Sequence, residues 1–66
     1  MIIWKIKSYT KDFICYRPYD VYDAMIYEFG RTVEEAIEAE SWCEINCIGE
    51  VYDGGDITIT VEEGRM

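Results

Sequence analysis

The sequence predicts an α+β fold in a single domain of 66 residues, a small, mostly antiparallel sheet of four to five strands with one helix packed on it. Three observations predict it. Both ends of the chain alternate apolar and polar residues at the strand period, IIWKIKSY near the start and ITITV near the end. One strongly marked helix start, Thr32-Val33-Glu34-Glu35-Ala36, lies between them. The connections are short and rich in turn residues. A chain this long supports one core, so residues 1–66 are read as one compact unit.

The first strand is expected over Ile2 to Tyr9, with Ile2, Trp4 and Ile6 on one face and Lys5, Lys7 and Tyr9 on the other. Thr10, Lys11 and Asp12 suit a turn. Phe13 to Arg17, rich in aromatic and β-branched residues, follows as a second strand that Pro18 ends. Residues 19–29 fit two patterns. Tyr22, Met25, Ile26 and Phe29 make a helical stripe that Asp20 could cap and Gly30 could end. Met25, Tyr27 and Phe29 also alternate as a third strand over Ala24 to Phe29, and the strand is the favoured reading.

Thr32 and Glu35 form a capping box, and Glu34 and Glu35 sit at the positive end of the helix dipole. The helix is expected from Val33 to about Glu44, with Val33, Ala36, Ile37, Ala39, Cys43 and Cys47 as its apolar face and Asn46 and Gly49 in its end zone. Ile48 to Tyr52 reads as a strand, Asp53-Gly54-Gly55-Asp56 as a hairpin turn, and Ile57 to Val61 as the last strand. Glu62 to Met66 are expected to fray.

Composition excludes several function classes. The chain has no histidine, so Ser-His-Asp and Cys-His catalysis and histidine metal sites are out. Fourteen acids against six bases give a net charge of −8, which argues against direct nucleic-acid binding. No apolar run is long enough to span a membrane, and the N-terminus lacks the order of a signal peptide. Three cysteines, an odd number, fit reduced thiols and a cytoplasmic location. Cys43 and Cys47 share a helix face and read as small core residues; the competing reading is a metal pair with Cys15 as third ligand. No phosphate loop, EF-hand or catalytic constellation stands out, so neither cofactor, metal nor enzymatic activity is expected.

Charge is unevenly distributed. Residues 1–19 carry four bases and one acid, a net of +3; residues 20–66 carry thirteen acids and two bases, a net of −11. The expected helix alone holds Glu34, Glu35, Glu38, Glu40 and Glu44, with no base for i,i+4 pairing. Such a surface solubilises a small domain, or meets a basic groove and steers association. Asp53 and Asp56 of the last hairpin join it as candidate contacts. Trp42 falls opposite Ala36 and Cys43, among Glu35 and Glu38; it is an exposed interface anchor if the helix continues, or turns back onto the sheet if the helix ends near Ser41. Tyr19 and Tyr22, with Tyr16, cluster around Pro18 and either add contact area or cover one end of the sheet.

The stretch GRTVEEAIEA at positions 30–39, followed by Glu40-Ser41-Trp42-Cys43-Glu44 and Gly49-Glu50-Val51-Tyr52-Asp53, resembles small accessory proteins of phages and conjugative elements of Firmicutes, the DpnD/PcfM-like proteins among them. The resemblance covers roughly residues 27–62. That group shares small size and acidity with anti-CRISPR proteins, and the likeness implies an inhibitor or adaptor that binds a basic nucleic-acid-handling protein. A Cas nuclease is the partner it suggests first, partly through mimicry of nucleic-acid charge. Glu34, Glu35, Glu38, Asp53 and Asp56 would meet its Arg and Lys residues, with Trp42, Tyr19 and Tyr22 as apolar contacts. The alternative is a self-associating structural domain, a monomer or weak homodimer, pairing through Ile57 to Val61.

Overall fold

A computed structural model describes residues 1–45 and 47–64; Asn46, Arg65 and Met66, which the sequence places in a helix-end zone and a fraying terminus, lie outside the described residues. The elements run β1 (Ile2–Ser8), β2 (Asp12–Cys15), α1 (Pro18–Tyr27), α2 (Val33–Ile45), β3 (Val51–Asp53) and β4 (Ile57–Glu63). The strands form one antiparallel sheet in the order β2-β1-β4-β3. The expected α+β class and four-stranded sheet are present, with two helices in place of one.

The second helix corrects the reading of residues 19–29. Pro18 sits at the start of α1, where a helix needs no N–H and the fixed φ is already helical; it opens an element as well as closing the strand before it. Gly30 adopts φ 66°, and the Arg31 N–H donates to the Met25 carbonyl at 2.7 Å, which closes the C-terminal end. Val21, Ala24 and Met25 are buried, while Tyr27 is 79% exposed. The alternation of Met25, Tyr27 and Phe29 was coincident with a helical stripe, and the helix removes the expected third strand.

Several boundaries shift for local reasons. The second strand stops at Cys15, two residues short of Arg17, because the Tyr16 N–H donates to the Asp20 carboxylate and Arg17 becomes the N-cap of α1. The strand expected over Ile48 to Tyr52 is confined to Val51–Asp53. Glu62 and Glu63 do not fray: they extend β4 and pair with Ile3 and Ile2.

The core lies between the sheet and the helix layer. Trp4, Ile6 and Cys15 meet Ile57, Ile59 and Val61 on the helix-facing side of the sheet, and Val21, Ala24, Met25, Ala36, Ala39 and Cys43 close over them. The buried stripe of α2 is Ala36, Ala39 and Cys43, all small, which suits its close packing against α1. Val33 and Ile37, expected in that face, are about half exposed. Cys15 and Cys43 are therefore core residues, and burial pushes both thiols up to about 12; Cys47 is exposed. β4 is an inner strand flanked by β1 and β3, so Ile57 to Val61 cannot pair with a second copy in this fold; the edges are β2 and β3.

Candidate functional site

The helix layer concentrates the charge. α1 and α2 together contain seven carboxylates and no lysine or arginine: Asp20 and Asp23 on α1, and Glu34, Glu35, Glu38, Glu40 and Glu44 on α2. The open face of the sheet is different. Alternation along β1 sends Lys5 and Lys7 there, beside Asp12, Asp53 and Glu62. Lys5 and Lys7 thus lie on the face turned away from the helices, interspersed with those three acids.

The capping box of α2 forms as expected. The Glu35 N–H donates to Thr32 Oγ1 at 3.2 Å, and Glu35 Oε1 accepts from the Thr32 N–H at 3.1 Å. Arg31, immediately before it, lies 3.7 Å from Glu35 and also pairs with Asp56 in the β3–β4 turn. The Arg31 guanidinium holds the Asp56 carboxyl below the usual range. One base thus compensates two of the carboxylates expected to face a partner.

Glu38 has a structural role too. It accepts a 2.6 Å hydrogen bond from the phenol of Tyr52 on β3. That bond, aided by burial, pushes the Tyr52 hydroxyl up to about 12. Trp42 lies on the same side of α2, its ring centroid 5.5 Å from that of Tyr52 and tilted by 54°. The helix runs on to Ile45, so Trp42 does not turn back at Ser41; it is half-buried against the rim of the core. It is neither a fully exposed anchor nor a core residue.

The expected contact residues do not form one patch. Glu35, Glu38, Trp42 and Asp56 line the border between α2 and β3 with Arg31 and Tyr52. Glu34 projects from α2 with no ion pair among the described residues. Asp53 follows Tyr52 in β3, so it faces the open side of the sheet, and its Oδ1 accepts from the Gly55 N–H at 3.0 Å within the turn. Tyr19 and Tyr22 belong to α1, where their rings stack at 6.2 Å with 9° between planes; Tyr22 packs on the core and Tyr19 is 57% exposed.

No protein-family model, curated protein or solved structure matches this chain. Glu40 and Glu44, which the sequence places among the helix carboxylates, make no ion pair among the described residues. Glu34 is like them in this. Among the described residues no helix is long and apolar enough to cross a membrane.

Proposed function

We propose that the protein is a small inhibitor or adaptor, without catalytic activity of its own, that places its acidic helix layer against the basic groove of a nucleic-acid-handling protein. A Cas nuclease is the first partner to test, on the resemblance to phage and conjugative-element proteins over roughly residues 27–62. The observation that supports the reading most is the placement of seven carboxylates and no base on the two helices. Like charges on one short helix destabilise it by a few tenths of a kcal/mol per close pair. A basic partner relieves that repulsion, and the gain appears mainly as association rate and selectivity.

The residues assigned to this role are set by which carboxylates already have partners in the fold. Glu34, Glu40 and Glu44 carry the attraction, because Glu35 is occupied by Thr32 and Arg31 and Glu38 by Tyr52. Trp42 and the exposed flanks of Val33 and Ile37 supply apolar contact. A pull-down with tagged protein from lysate of a bacterium carrying CRISPR systems tests it. A basic nuclease or helicase retained at low salt and lost at high salt is expected, with retention reduced by the triple variant Glu34→Gln, Glu40→Gln, Glu44→Gln. Equal retention by the triple variant makes the acidic helix only a solvated face.

A further inference from the structure

We propose that the free edge of β2, with the groove between it and α1, is a second docking site that takes an extended cationic segment of another protein as a fifth strand. The backbone supplies the first argument. The Ser8 N–H donates to the Lys11 carbonyl at 3.0 Å, so Ser8 and Lys11 are a bonded pair of the β1–β2 hairpin. Bonded and non-bonded pairs alternate along antiparallel strands. Ile6–Phe13 and Trp4–Cys15 are then bonded, and Lys7–Asp12 and Lys5–Ile14 are not. The N–H and C=O groups of Asp12 and Ile14 consequently point outward, away from β1, in position to receive a strand.

The groove supplies the second argument. It encloses about 380 Å3 and is lined by Phe13 and Ile14 of β2, by Asp20, Asp23, Ala24 and Tyr27 of α1, and by Glu28. The helical period places Asp20, Asp23 and Tyr27 on one flank of α1. Arg17 pairs with Asp20 at 3.0 Å and Lys11 with Glu28 at 3.2 Å. Asp23 makes no ion pair among the described residues, so the groove keeps an excess of negative charge, while Asp12 at its edge faces Lys7 across the strand pair.

An added strand alternates its side chains. Those turned toward α1 enter the groove beside Asp23, which selects lysine or arginine. Those on the open face lie beside Ile14, which is 45% exposed and selects an apolar residue. The occupant is thus an extended segment that alternates basic and apolar residues. This site is separate from the α2 surface proposed above and does not depend on that function.

The test uses the isotope-labelled full chain and a synthetic heptapeptide alternating lysine and valine, with a glutamate–valine peptide as control. Amide shifts centred on Asp12, Ile14 and Tyr27 are expected, with the control at least about tenfold weaker. Ile14→Pro removes an outward N–H that β1 does not use, a placement that edge strands tolerate, and should weaken binding about tenfold or more. Asp23→Lys should do the same, and serves alone if the proline variant fails to fold. Binding unchanged in the folded variants, equal binding of the control peptide, or shifts confined to α2 and β3 overturn the proposal. So does a β2 edge found closed by a second copy, seen as concentration-dependent shifts of its amides without peptide.

Discussion

Tyr52 on the edge strand β3 donates a 2.6 Å hydrogen bond to Glu38 in the middle of α2. The same phenol ring lies against Trp42, one turn further along the helix. The pair ties the outer strand to the acidic helix, and it turns a residue that sequence assigns to a partner into part of the scaffold. Tyr52→Phe removes a bond to a charged acceptor at a partly exposed site, so a loss of about 1 kcal/mol is expected in thermal or urea unfolding. A wild-type-like midpoint would show that the bond contributes nothing.

The same bond has a pH signature. The hydroxyl is raised from about 10 in the unfolded chain to about 12 in the fold, so folding favours the protonated phenol. Its contribution is fully present below pH 10 and is lost as pH rises through about 12. Ultraviolet titration should show a tyrosine component near pH 12 that Tyr52→Phe removes.

At the acid end the sign reverses. Arg31 holds Asp56, and Arg17 holds Asp20, below the normal carboxylate range. Folding favours the ionised forms, so this stabilisation is present above the unfolded carboxylate pKa and falls away as pH drops through the lowered values. Because one partner of each pair, Asp56 and Arg17, is largely exposed, the effect is small and weakens with salt. Arg31→Gln is expected to flatten the acid limb of the stability curve at low ionic strength; an unchanged limb contradicts the pairing.

Thiol reactivity should separate the three cysteines. Cys15 and Cys43 are buried, with thiols pushed up to about 12, while Cys47 is exposed. An aromatic disulfide reagent at pH 8 should titrate Cys47 quickly in the native protein and reach the other two only after denaturation. Two fast thiols in native protein would place Cys15 or Cys43 outside the core.

Two isoleucines that sequence assigns alike to apolar faces should behave differently. Ile59 is fully buried and Ile37 is 51% exposed. Ile59→Ala is expected to cost about 2–5 kcal/mol, a large fraction of the stability of so small a domain. Ile37→Ala should cost less than about 1 kcal/mol in the same unfolding experiment. Equal losses would mean that the helix seats differently on the sheet.

How far these relationships could be read from sequence follows from their range. β1 and β4 show themselves through alternation, and α2 through the local Thr32–Glu35 box. α1 was hidden because Pro18 ends a strand and begins a helix equally well, and because Tyr22, Met25, Ile26 and Phe29 overlap an alternating pattern. Only burial of Val21 and Ala24 decides between them. The excess of carboxylates on α2 was legible as composition. The bonds that withdraw some of them from a partner were not, since Arg31 reaches Asp56 across 25 positions and Tyr52 reaches Glu38 across 14. Which acids remain unpaired among the described residues is a tertiary property.

The most direct measurement of the central claim is competition. A fluorescent duplex is bound to a purified Cas nuclease at low salt, and the protein is titrated in while anisotropy is followed. The acidic helix layer predicts displacement of the duplex that weakens as salt rises, and at least about tenfold less potency for Glu34→Gln, Glu40→Gln, Glu44→Gln. No displacement would contradict the nuclease-groove reading. Displacement that the triple variant matches, with the same salt dependence, would contradict the role given to the helix.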